Sequence, residues 1–253
     1  RGRVVYVGAT AVVTLTNITL TNGDSTAAGD GNRGGALLNA GQTVLTNTQF
    51  MANNSALGGA IYNGAGLTLG ATSLKNNTAA SGGGLYNNAF AVVQQAEFSG
   101  NSAFDGGAVY HNDGTLSLDG NKLHGNAASA NGGAVYLAGG ASGAMDVRNN
   151  FIYDNSADKG GGLYNEDSNG RIWHNTFVHN IASADGGGIY SAAGNPDIRN
   201  NILDTNLGSG LSVGGGAPAA AYNNAFGNIP ENYVNVIPGA GSISQFPVYV
   251  DPL

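Results

Sequence analysis

Two carboxylates set at a repeating interval are the residues best placed for acid–base chemistry. Asp146 and Asp197 each precede an asparagine by four residues, Asn150 and Asn201, and Arg171 holds the same place before Asn175. If the chain winds so that these asparagines stack, Asp146, Arg171 and Asp197 form one outward file, with Asp119, Arg148, Trp173 and Arg199 beside it. The two aspartates then lie two windings apart, about 9.6 Å at the usual strand spacing. That is close to the ~6.5–9.5 Å carboxyl separation of inverting glycosidases. Arg171 argues against such a use, because a neighbouring cation favours the ionised carboxylate and a general acid needs the reverse. The file therefore reads as a cross-strand ion ladder, with Trp173 held between the guanidinium groups of Arg148 and Arg199. Asp146, Arg171 and Asp197 are the catalytic candidates; Arg148, Trp173 and Arg199 are the binding ones.

Other polar groups offer less. The four histidines, His111, His124, His174 and His179, show no spacing for a helical zinc site, and His179 falls in register with Asp154 as an ordinary charged contact. Asp105, Asp158 and Asp185 sit at or near Gly-Gly turns and are the candidates for a weak Ca²⁺ site. The acidic turn Glu166-Asp167-Ser168-Asn169-Gly170 lacks the full ligand series of a calcium loop. No cofactor is otherwise expected.

A third set is aromatic. Tyr62, Tyr86, Tyr110, Tyr136, Tyr164 and Tyr190 each follow Leu, Ile or Val in successive units. With the aliphatic residue turned to a core, alternation turns each ring outward. The rings would make a stripe about 24 Å long, five steps of ~4.8 Å. Such a stripe stabilises a sheet, and it is also a candidate surface for a glycan or a neighbouring rod.

All of these files require windings of constant length, and the sequence supplies them. Gly-Gly followed two places on by an aliphatic residue recurs seven times, from Gly34-Gly35 to Gly186-Gly187, in steps of 24, 24, 24, 26, 28 and 26 residues. A period in this range marks a stacked repeat, in which each unit buries its apolar face only against its neighbours. Gly is 43 of 253 residues, against long helices. Alternation such as Leu67-Thr68-Leu69 gives strand periodicity instead. A column of asparagines, each three residues after an apolar one, precedes the Gly-Gly pairs: Asn77, Asn101, Asn126, Asn155, Asn180 and Asn206. In the first unit Asn54, one residue out of step beside Asn53, takes this place. Stacked amides form ladders, and asparagine tolerates the left-handed backbone of a turn. The expected fold is all-β: a single-domain right-handed parallel β-helix of about ten coils of ~24–28 residues, with three short strands per coil. Residues 1–206 carry the repeats, and 207–253 an irregular end of the same domain.

Composition narrows the function. A net charge of −7 with only nine basic residues lacks the basic footprint of a nucleic-acid binder. No apolar run is long enough to cross a membrane as a helix. There is no cysteine, hence no disulfide or thiolate metal site. The chain starts at Arg1 without a signal segment, as expected if a leader was removed or the chain is part of a longer protein.

Gly58-Gly59-Ala60-Ile61 matches a GGA-aliphatic motif, and Phe98-Ser99-Gly100-Asn101 and Phe177-Val178-His179-Asn180 match FxxN. In these motifs, over about residues 17–206, the chain resembles the chlamydial polymorphic outer-membrane proteins. Its tail from Ser242 is similar to the ends of secreted right-handed parallel β-helix proteins of bacteria. The resemblance implies export, cell-surface or extracellular location and adhesion. Among carbohydrate-active β-helices, the lyase and polygalacturonase patterns would show as clustered aspartates, Gly-His-Gly or Arg-Ile-Lys. None occurs, since Arg171-Ile172 runs into Trp173. The expectation is a structural or adhesive protein without catalysis. Its partners would be further copies of itself, head-to-tail or laterally, or a surface glycan or protein. A carbohydrate-active enzyme and a glycan-binding module are the alternatives.

Overall fold

The computed structural model describes residues 2–26, 31–139 and 143–248. The chain winds as a right-handed parallel β-helix, without α-helix among the described residues. Three parallel sheets run along its axis, of ten, nine and nine strands. Ile61–Asn63, Gly66–Gly70 and Ser73–Lys75 are one coil's strands in the first, second and third sheets. Nine coils carry all three strands, and Tyr233–Val234 begins a tenth, slightly short of the ten expected. Strands in the same stacking continue past Asn206, at Leu211–Val213, Ala219–Ala221 and Asn224–Phe226. The strand expected at Val248-Tyr249-Val250 lies largely outside the described residues. A fourth sheet of four strands was not anticipated: Ser102–Asp105, Ala127–Asn131, Ser156–Lys159 and Ile181–Asp185.

The windings lie one atop another in the register of the repeats. Gly59 N–H donates to the Gly82 carbonyl and Gly83 N–H to that of Gly106. Gly58 has φ +67°, a left-handed backbone that favours glycine. At Gly59 the reason is space, because a Cβ would stand 2.4 Å from the Gly83 carbonyl oxygen. These two positions explain why the pair recurs: one glycine reverses the chain and the other lets coils touch.

Inside, like residues stack on like. Ile61, Leu85, Val109 and Val135 make a file in the first sheet, Leu67 and Leu69 start two in the second, and Phe50, Leu74, Phe98 and Leu123 lie in the third. Each such side chain is about 1.5–3 kcal/mol better off buried than exposed. The corners between sheets are made by single left-handed residues, as at Asn149, His174 and Asn200, or Asn76 and Asp154. The next residue is an inward asparagine whose amide bonds the coils on either side. Asn126 Nδ2 donates to Asn155 Oδ1 at 2.9 Å and to the Phe98 carbonyl at 3.0 Å, and its Oδ1 accepts from Asn101.

The ladder at the third sheet's end runs Asn53, Asn77, Asn101, Asn126, Asn155, Asn180, Asn206 and Asn228. Its first coil corrects the sequence reading: the rung is Asn53, not Asn54. Ala52 takes the left-handed corner, which moves the inward position one residue earlier. A second ladder, Asn121, Asn150, Asn175, Asn201 and Asn223, lines the corner between the second and third sheets.

Candidate functional site

The outer face of the second sheet assembles the charged files. Asp146 pairs in register with Arg171 and Arg171 with Asp197; beside them run Asp119, Arg148, Trp173 and Arg199. The ion pairs follow the expected columns only at Asp119 and Arg148. Arg148 reaches Asp119 at 3.2 Å and Asp146, on its own strand, at 3.3 Å. Arg199 Nε lies 2.5 Å from Asp197 Oδ1, two residues before it, a close charge contact without hydrogen-bond alignment. Residues i and i+2 of a strand face the same way, so Arg148 and Arg199 capture the carboxylates beside Arg171. Arg171 makes no ion pair among the described residues and stacks over the Trp173 ring instead, 5.2 Å from its centroid. Trp173 is thus covered by Arg171, not clasped between Arg148 and Arg199. Its indole N–H is shielded from solvent, and no acceptor for it occurs among the described residues.

Two hollows flank this patch. Trp173, His174, Arg199, Asn200 and Tyr222 line an open groove of about 300 Å³ at the corner between the second and third sheets. On the other side a hollow of about 410 Å³ is bordered by Met145, Asp167, Ser168, Asn169, Gly170 and Arg171. Asp167 and Asn169 of the acidic turn thereby border the same hollow as Arg171 and Met145 of the coil before. Asp146 and Asp197 are held by different arginines with Arg171 between their strands. The arrangement offers charged hydrogen bonding and ring stacking, not a pair of carboxyls trading protons.

The tyrosine column is continuous, with successive centroids from Tyr62 to Tyr190 5.3, 5.1, 4.6, 5.0 and 5.5 Å apart. The rings do point away from the main core, yet they are not the open stripe expected. Tyr62, Tyr86 and Tyr136 are 7, 9 and 6 % exposed. Tyr62 and Tyr86 form a second apolar cluster with Leu38, which Leu57 and Tyr110 flank. The chain before each Gly-Gly turn folds back beside the rings, setting Arg33 4.9 Å over Tyr62 and Lys159 5.2 Å over Tyr190. Burial, then Tyr86, Glu166 and Asp105, pushes the Tyr110 phenol up to about 12. Tyr136 is pushed further in the same direction, chiefly by burial.

The calcium candidates are not gathered. Asp105 bonds Asn131, Asp158 accepts from Ser183 Oγ at 2.7 Å, and Asp185 accepts from Ser209 Oγ at 2.7 Å. Asp105 and Asp185 share a file but are separated by Asn131 and Lys159. No group of three His, Asp or Glu poised for a metal occurs among the described residues. His124 bonds Glu97 at 3.1 Å, His174 lies 3.2 Å from Asn200 Nδ2, and His179 stands 3.9 Å from Asp154.

His111 is the histidine with an unexpected place. The aliphatic-Tyr-Asn strands end in a third buried ladder, Asn39 to Asn63 to Asn87, and His111 is its next rung. Asn87 Nδ2 stands 2.9 Å from His111 Nδ1; the amide donates, so the neutral ring carries its proton on Nε2. That N–H is buried and has no hydrogen bond of normal geometry among the described residues. Burial drives the imidazole down to about 4, against smaller opposing effects of the Gly114 backbone and Asp113. The recurring Tyr-Asn pair was the signal for this ladder.

A family model described as a right handed beta helix region matches residues 103–244, more than half the chain. No curated protein and no solved structure matches.

Proposed function

This chain belongs to the right-handed β-helix family, and from that premise we propose an extracellular or cell-surface adhesive rod that holds an anionic glycan without turning it over. The observation that carries this reading is Arg171 lying on Trp173. It is a guanidinium outside the neighbouring ion pairs, lying on an aromatic face. Sugar rings stack on indoles, while uronate or sulfate groups suit a guanidinium fork. Arg148, Arg171 and Arg199 are three of only nine basic residues, gathered on one face of an acidic protein. The arginine contacts of Asp146 and Asp197 argue against the glycosidase alternative. The ladders and stacked core supply what an adhesive spacer needs, a stiff shaft.

The test is affinity electrophoresis through gels containing polygalacturonate or a neutral galactan, with assay of the polymer for new chain ends. The acidic polymer should retard the protein, the neutral one should not, and no ends should appear. Trp173→Ala and Arg171→Ala should each abolish retardation. Equal migration in both gels, or cleavage of either polymer, defeats the reading.

A further inference from the structure

We infer that the outer face of the third sheet carries a separate cleft for a small quaternary ammonium ion, built from Phe151, Tyr153 and Phe246 around Asp204. This inference is independent of the glycan reading and uses none of its residues. The cleft is open and of about 520 Å³, with Val178, His179 and Thr205 completing its lining. Phe151 and Tyr153 stack at 4.4 Å to form one wall. His124 stacks on Tyr153 as well, at 4.8 Å, so Phe151 is the ring of this wall left to face the cleft. Phe246 forms the far wall, 66 % exposed and braced edge-on against Phe226 at 5.6 Å.

Between the walls the floor follows the register Tyr153, Val178, Asp204, Phe226. Three strand steps make this span about 14 Å. A group resting over the two middle rungs lies between Phe151 and Tyr153 on one side and Phe246 on the other, and a cation is drawn to ring faces within about 6 Å. Only a compact ligand fits.

Charge selects the ligand. Asp204, buried at 4 % exposure, is in the floor, Asp154 adjoins His179, and no lysine or arginine lines the cleft. Burial first, then Glu97 and Asp154, push the Tyr153 phenol upward. A carboxylate or phosphate ligand meets repulsion here. A neutral apolar ligand gains only the walls, and a primary ammonium carries a tight hydration shell into an apolar slot. A trimethylammonium group, weakly hydrated and rounded, gains both the rings and the negative field. The ligand is therefore a free monocation such as choline, not a phosphocholine headgroup, whose phosphate would approach Asp154 and Asp204.

Calorimetric titration of the full chain tests this with three probes: choline, its neutral isostere carrying tert-butyl for trimethylammonium, and phosphocholine. Choline should bind with the isostere and phosphocholine each about ten-fold weaker or more. Phe246→Ala, at an exposed position, should weaken choline by about ten-fold with the β-sheet circular dichroism unchanged. Asp204→Asn should do the same where it folds. No heat with choline, equal affinity for the isostere, tighter binding of phosphocholine, or unchanged binding by Phe246→Ala would overturn the assignment.

Discussion

Replacing His111 by asparagine should make the protein markedly more resistant to acid. In the folded chain the imidazole is the fourth rung of an amide ladder, 0 % exposed, with Nε2 buried and without a normal hydrogen bond. Unfolded, it takes a proton near 6.5; folded, only near about 4. Between those values the unfolded chain binds the extra proton, so stability falls as pH drops from 6.5 to about 4 and then levels off for this group. At ~1.36 kcal/mol per pH unit, the interval corresponds to about 3 kcal/mol, a large part of the ~5–15 kcal/mol that holds a domain folded. Asparagine accepts from Asn87 as His111 does and cannot be protonated. Urea unfolding of the parent and His111→Asn, at neutral pH and across this window, isolates the term, because all other acid-sensitive groups are shared. The difference between the two should widen as pH falls through the window. Parallel loss in both proteins would mean that His111 opens to solvent at little cost, and the reasoning would be wrong.

The touching coils make a sharper steric case. Gly59→Ala puts a methyl 2.4 Å from the Gly83 carbonyl and 2.5 Å from that of Thr78, so it should cost more than 3 kcal/mol or prevent folding. Gly120→Ala, with φ +68° but nothing within 4 Å, should cost only about 1 kcal/mol; comparable urea midpoints for the two would refute the contact. The shielded tyrosines give a prediction at the alkaline end. Tyr110, held up to about 12 mainly by burial, keeps its proton where an unfolded tyrosine, near ~10, has lost it. Stability should therefore decline as pH rises from ~10 towards about 12. Phenolate absorbance should show one set of the eleven tyrosines titrating near the ordinary value and a later set appearing with unfolding. A single titration of all of them in the folded protein would contradict the burial.

The sequence disclosed the winding because its constraints repeat. Gly-Gly pairs and the Asn77-to-Asn206 column recur at coil length, and the same spacing set Asp146, Arg171 and Asp197 in their observed register. What it withheld depends on side-chain reach or on segments joined only by folding. Asn63 and Asn87 look like strand-end turn residues until the coil above supplies a partner. Alternation reports that Tyr86 leaves the core but not that a turn folds back beside it. Arg148 adds the carboxylate on its own strand to the one in its column, which spacing alone does not reveal. The cleft at Tyr153 needs Phe246, 93 residues onward, and no periodicity links the two.

The three amide ladders share one orientation. Between successive asparagine rungs, from Asn39, Asn53 and Asn121 onward, the Nδ2 of the earlier coil donates to the Oδ1 of the later one. Side-chain amide dipoles that would cancel in a disordered interior add instead. The shaft is therefore electrically polar along its length, negative towards its first coil and positive towards its last, by the summation that polarises an α-helix. Along these coils the interior potential has a direction, whatever the sign of the surface charge around it.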